Sequence, residues 1–294
     1  MIKKHLILLL FLSLTPILLC GCAGTGERIT EEPGINTNEN IGIYEVSEFL
    51  DEERYDEYMN DAGSLFGRLQ AFRHQLANSS EFGFHAFANN PVEVINRVIP
   101  EICFVNHGTE YEDESRYEID GESITAVEAI QVSDRFFSLF PLKITEGRGF
   151  EPPDFDCRNA DTIPVILGDV YRDTFRPGDT FEGYYICERR SFTVIGFTDT
   201  ELDFYLRRSS RMAPYGYFII MPFENIGEDS FSARAILLQQ IGGFIVTYNG
   251  RESALNTIRE YLTENGLGNW CDAIAVSEKS LKEKLNQGTI PFDR

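Results

Sequence analysis

The sequence predicts an α+β fold, a mixed sheet with helices packed against it. Three observations carry this. Between Glu48 and Asn78 the apolar residues Tyr58, Ala62, Leu65, Leu69, Phe72 and Leu76 fall three or four apart, the period of a helix with one buried face. The middle of the chain is filled with short β-rich runs separated by turn residues, such as Ile163 to Gly168 and Phe192 to Phe197. Beyond residue 200 helix-like and strand-like segments alternate, as in a domain that closes on its own sheet. A hydrophobic content of 43% with 23 Phe in 294 residues can fill a sizeable core, enough for one large domain or two intimate subdomains.

The chain opens with Lys3 and Lys4, then an apolar stretch from Leu6 to Leu19 interrupted by Pro16. This is the layout of an export signal, and it falls short of the about 20 apolar residues of a spanning helix. It ends in Leu19-Cys20-Gly21-Cys22, which resembles a bacterial lipobox. Cys22 lies between Gly21 and Ala23, the small residues a signal-peptidase groove admits, and its thiol is the candidate acceptor of a diacylglycerol. Leu19 before Cys20 argues against that neighbour. The expected organisation is a lipoprotein signal peptide at 1–21, a flexible tether at 22–42 and a folded body at 43–294. The stretch from Ala23 to Gly42 has almost nothing apolar to bury, and as a flexible coil it spans roughly 25 Å.

The full chain carries a formal charge of −21. Cleavage before Cys22 removes two lysines and leaves 24 basic against 47 acidic residues. Such a surplus keeps a protein soluble and opposes binding to nucleic acid or to anionic headgroups. The expected partner on the membrane side is therefore reached through the N-terminal lipid and not through a basic face.

Within the body, the spacing predicts one long amphipathic helix over Glu48 to Asn78 and a strand over Phe82 to Ala86. A break at Pro91 precedes the apolar stretch Val92 to Ile102. Tyr111 to Glu122 is acidic and reads as a solvated loop or hairpin tip. Ala126 to Ser133 reads as a strand, with Ser133 placed to cap a helix over Asp134 to Phe140 that Pro141 stops. Two glycines bracket Arg148 in the turn Glu146 to Phe150. Tyr171 to Phe175 looks helical, Arg176 to Asp179 is a turn, and Tyr184 to Cys187 with Phe192 to Phe197 forms a hairpin. Further on, Tyr217 to Met221 and Gly243 to Tyr248 read as strands. Arg251 to Glu264 reads as a helix stopped by Gly266, Trp270 to Val276 as a strand, and Ser277 to Leu285 as a last helix.

The order Val132-Ser133, Phe136-Phe137, Leu142, Glu146-Gly147-Arg148-Gly149-Phe150, Asp154, Ile163 to Gly168, Phe175, Gly178-Asp179 and Phe192 to Gly196 resembles the MacB-like periplasmic core domain of FtsX-like ABC transporter permeases. The resemblance is strongest from Ala126 to Thr198. It implies an extracytoplasmic module with a porter-like α/β subdomain and a smaller, more β-rich subdomain inserted into it. It also implies a module that contacts partners and transmits conformational change without bond chemistry. No later apolar segment reaches spanning length and no Gly-rich phosphate loop ending in Lys-Ser/Thr occurs. The expectation is thus a stand-alone lipoprotein beside a separate permease, or a remnant of one.

The residues offer little to catalysis. His74, His85 and His107 are widely spaced without an HExxH pattern. Asp154, Asp156 and Asp161 lack the glycine and closing glutamate of a calcium loop. The serines lack GxSxG and SxxK contexts. No cofactor or metal is expected. Arg148, held between glycines, is expected to bind a nearby carbonyl or carboxylate. Four cysteines remain in the body, Cys103, Cys157, Cys187 and Cys271. Export permits disulfides, and Cys157 and Cys187, flanking the Ile163 to Gly168 strand, form the candidate pair against the alternative of four free thiols. A second functional class is a lipid-anchored solute-binding protein, in which Tyr184, Tyr185, Tyr205, Tyr215, Tyr217 and Trp270 would line a ligand pocket.

Overall fold

A computed structural model describes residues 42–48, 52–60, 63–157, 161–199, 203–206, 211–224, 226–247 and 251–275. Cys22, the tether up to residue 41 and the helix expected after Ser277 lie outside the described residues. The α+β expectation holds: five helices pack against a thirteen-stranded mixed sheet, with a separate two-stranded hairpin, among the described residues.

The α/β part is split along the sequence. Strand β1 (Gly42–Glu48), helices α1 (Glu52–Asn60) and α2 (Ser64–Ala77) and strand β2 (Phe82–Ala88) come first. Helix α4 (Phe231–Ile241), strand β14 (Gly243–Thr247), helix α5 (Arg251–Glu264) and strand β15 (Cys271–Ala275) complete it after a long excursion. The four strands lie in the order β15-β1-β14-β2, every pair antiparallel. This is the order of a split βαβ sheet, with the excursion inserted where a simple unit has a short connection. The expected single helix over Glu48 to Asn78 is instead two, because Gly63 takes a φ of 49° immediately before Ser64.

The inserted part holds β3 (Val92–Ile95), β4 (Arg116–Ile119), β5 (Glu122–Val127), β6 (Ala129–Val132), the short helix α3 (Phe136–Leu139), β7 (Ile144–Gly147), β8 (Ile163–Gly168), β9 (Thr180–Tyr185), β10 (Glu188–Thr198), the hairpin β11 (Asp203–Leu206) and β12 (Arg211–Pro214), and β13 (Ile219–Pro222). Its strands continue the same sheet as β2-β6-β13-β8-β10-β9-β3-β5-β4, with β7 against β10. Two pairs, β6 with β13 and β8 with β10, are parallel. In strand number the inserted part is the larger of the two.

The centre of the sheet is covered on both faces, which explains its near-continuous apolar runs. Alternate residues of one strand enter two different cores. Ile219 and Met221 face the helices together with Val165, Leu167 and Ile245. Ile220 faces the other side with Ile166, Phe244 and Val246, under a lid made by α3 and the β11–β12 hairpin. The helix-side core runs without interruption from Leu69, Phe72 and Ile258 to Phe181 and Phe192, so both parts of the chain share it.

Helix α3 is shorter than expected. Its first residue is Phe136, and Ser133 contributes its backbone carbonyl, to which Phe136 N–H donates, while its Oγ has no hydrogen-bond partner. Helix α4 was not legible as a helix in the sequence. Ser230 caps it by accepting from Ala233 N–H at 3.2 Å.

Candidate functional site

The motif series from Glu146 to Gly196 contains two close backbone approaches. Gly147 has a φ of 75°, and a Cβ there would overlap the Ile195 carbonyl oxygen and approach the Gly196 Cα to 2.7 Å. A Cβ on Gly168 would overlap the Gly216 carbonyl and approach its Cα to 2.7 Å. Gly147 thus lets β7 pass close to β10, and Gly168 lets β8 pass close to the turn Tyr215–Tyr217 before β13. The other motif residues brace the turns and strands around them. Arg148 grips Asp154 through two nitrogens, at 2.6 and 3.0 Å, and donates to the Gly149 carbonyl at 3.0 Å, as expected of a structural arginine. Burial alone would raise the Asp154 carboxyl; the Arg148 guanidinium and the Glu151 N–H overrule it and hold it below its usual range. Gly178, at a φ of 94°, donates to the Val194 carbonyl, and Asp179 accepts from Arg176 N–H. Phe175, Phe181 and Phe192 pack ring on ring at 5.0 Å.

The second feature is a polar clasp on the helix-side seam between the two parts. The β9–β10 hairpin turns through Ile186 and Cys187, both at positive φ (48° and 62°). That conformation is unfavourable for a β-branched residue. Ile186 is nevertheless buried in the shared core, and burial of its side chain offsets the backbone cost. Around this turn three side chains reach elements of the other part. Tyr185 Oη donates to Gln239 Oε1 of α4 at 3.0 Å. Ser232 Oγ, also on α4, donates to Glu188 at 2.5 Å. Arg190 Nη2 comes within 3.0 Å of Glu224, which precedes α4. Its N–H is not aligned as a hydrogen bond, so the attraction is that of an ion pair. Burial raises the Glu224 carboxyl above the usual range; Arg190 opposes this and Glu188 adds to it. A strained turn, a buried carboxylate and cross-part contacts occur together here, which makes the clasp the candidate functional site among the described residues.

The remaining candidates are scattered. His74 is exposed at the end of α2, and His107 pairs with Glu112 at 3.0 Å in the loop before β4. His85 is buried on β2, its Nδ1 2.8 Å from the Arg135 carbonyl; burial lowers its pKa. No group of three His, Cys, Asp or Glu among the described residues is placed to hold a metal ion. The expected Cys157–Cys187 pairing is not present. Cys157 is buried facing the Phe223 carbonyl, while Cys187 sits in the strained hairpin turn, and both are free thiols. Burial pushes Cys157 up to about 12 and Cys187 to about 11. Of the expected aromatic set, Tyr215, Tyr185 and Trp270 serve three different places. Tyr215 is enclosed in the lid-side core and donates to the Phe140 carbonyl at 2.8 Å, Tyr185 serves the clasp, and Trp270 packs beneath Arg54. No helix among the described residues is long and apolar enough to cross a membrane.

No family model and no curated protein matches the sequence. Among solved structures, the chain is similar to the periplasmic region of MacB from Actinobacillus actinomycetemcomitans, with a TM-score of 0.43 at 11% identity, covering 88% of this chain and 96% of that one. It is also similar to the extracellular domain of the noncanonic ABC-type transporter YknZ from Gram-positive bacteria, with a TM-score of 0.41 at 10% identity, covering 79% and 99%. Both scores are too low to carry a shared fold by themselves.

Proposed function

We propose that this chain is an extracytoplasmic lipoprotein, anchored through Cys22, that works as a non-catalytic interaction and coupling module beside an ABC transporter permease. The observation that carries the reading is the role of the motif series. Its glycines serve close backbone approaches, and its charged residues Arg148, Asp154 and Asp179 are engaged with neighbouring chain, as in a structural scaffold. The split α/β sheet with an inserted β-rich part is the architecture that the resemblance implies. The acidic charge directs the body away from anionic headgroups, and the lipid confines it to the surface where a permease resides. Confinement raises effective concentration, so a weak interface suffices.

In-cell crosslinking followed by isolation through the lipoprotein tests this. An ABC permease subunit is the expected product. Recovery of no transporter subunit, together with a stoichiometric small ligand in the purified protein, overturns the reading in favour of a solute-binding protein.

A further inference from the structure

The far end of the sheet, at β4, presents a free edge and a group of apolar side chains in water. Strand β4 is last in the order, paired only with β5 among the described residues. Such edges are sites of association unless they are covered. In the segment that leads into it, Val98 is 88% exposed, Ile102 42% and Tyr111 52%; the only other large hydrophobic residue so exposed among the described residues is Phe231. The three belong to one braced segment. Thr174 Oγ1 fixes the Val98 carbonyl at 2.9 Å, Phe104 bridges to Val127, and Asn106 N–H donates to Ser115 Oγ. Arg116 lies over the Phe104 ring and reaches both Glu101 and Asp113. The apolar groups are therefore held outward by a fixed frame.

The charge around them is one-sided. Residues 101–122 carry eight carboxylates against Arg116 alone, a third of the net −21 of the whole chain in a small fraction of its length. Glu101 and Asp113 share Arg116, Glu112 faces His107 and Glu122 pairs with Arg189. Glu110, Glu114, Glu118 and Asp120 have no ion-pair partner among the described residues, and all four are exposed. Exposed apolar side chains on a segment with four unpaired carboxylates fit a partner surface that is apolar and basic.

We infer that this edge docks a protein segment that places an apolar anchor on Ile102 and Tyr111 within a ring of lysines or arginines. The inference rests on the partner reading above and adds to it the surface and the chemistry of the partner. Anionic membrane and a second copy of this acidic chain are disfavoured by the same charge.

The test places a photoreactive phenylalanine analogue at Ile102, at Tyr111 or at the exposed Glu260 of α5 in the full-length lipoprotein in its own cells. Crosslinked segments are then identified by mass spectrometry. The expected result is adducts from Ile102 and Tyr111, absent from Glu260, on a protein segment with net positive charge. Their yield should fall about tenfold when Glu110, Glu114 and Glu118 are changed to Lys, all exposed positions whose replacement leaves the thermal midpoint in place. Adducts from Glu260 alone overturn the surface assignment and leave the partner reading standing. Adducts on lipid, on a second copy or on an acidic segment overturn the chemistry. Absence of adducts from all three positions overturns both readings.

Discussion

Replacing Arg190 with Met removes the cation that faces Glu224 and leaves a carboxylate buried without compensation. The Arg190 side chain is 22% exposed and that of Glu224 9%, so the pair is mostly but not wholly screened from water. Breaking a buried pair from one side costs about 3–5 kcal/mol; the residual exposure of Arg190 places the expected loss near the low end, about 3 kcal/mol. At 2–4 °C per kcal/mol for a domain of this class, the thermal midpoint falls by roughly 6–12 °C at neutral pH. The mirror substitution, Glu224→Gln, behaves differently. Burial outweighs Arg190 in setting the Glu224 carboxyl above its usual range, so removing the charge relieves about as much as it forfeits, and the change stays within about 1 kcal/mol. The pH dependence has a defined sign. A carboxyl raised in the folded state binds its proton more tightly than the unfolded chain does. The Arg190→Met deficit therefore shrinks as pH falls from neutral toward 4.5, the ordinary value of a glutamate carboxyl. Thermal melts of wild type, both single variants and the double variant between pH 7 and 4.5 read all three effects. Equal losses for Arg190→Met and Glu224→Gln at pH 7, or a deficit that grows on acidification, would refute the reasoning.

Gly168→Ala should cost about 3 kcal/mol, because the new methyl meets the Gly216 backbone and not a movable side chain. Gly67→Ala, on the exposed face of α2 with no atom within 4 Å, should stabilise by about 0.5–1 kcal/mol, and denaturant titrations compare the two. At pH 8, Cys187 should alkylate before Cys103 and Cys157, because it is partly exposed and they are buried, with Cys103 raised to about 11 by desolvation. Peptide mapping that finds a Cys157–Cys187 disulfide instead would contradict this. Cys22→Ser should move the protein from the detergent phase to the aqueous phase, since a polypeptide without acyl chains has no stable hold on a bilayer; equal partitioning of both forms would count against the anchor.

Local signals were legible where one face or one stop residue decides the outcome. Ile163 to Gly168 is the strand the apolar run announced, and Arg251 to Glu264 is the helix its period announced, ending before Gly266 at a φ of 63°. Helix α4 escaped because Ala233, Ile236, Leu237 and Ile241 run directly into the apolar β14, which blurs the period; the Ser230 cap was the available signal. The α3 cap failed because Ser133 is drawn toward β2, its N–H donating to the Ala86 carbonyl. The role of Arg148 could be reasoned from its two flanking glycines. The clasp could not, since Tyr185 and Gln239 lie 54 residues apart and Glu188 and Ser232 lie 44 apart, and no period links them.

How the two parts are joined bears on the proposed coupling role. The chain leaves the α/β part at the end of β2 and comes back at Phe223, whose N–H donates to the Val132 carbonyl of β6, so exit and return are neighbours. Between β2 and β6 the ladder has two residue pairs, Phe87 with Val132 and Ala88 with Gln131. So short a ladder would be a weak joint on its own. It is reinforced on one face by Phe87, stacked against Phe136 and Phe244 at 5.2 and 6.0 Å, and on the other by the shared core and the clasp on α4. From β4 to β2 the two parts are thus joined through packed strands. In the proposed coupling role, a load at β4 would reach β2 along these strands, and the aromatic packing together with the clasp would set how far the α/β part follows. Stiffness at that point rests on few side chains, so single substitutions there should alter coupling between the distal edge and β1 while leaving each part folded.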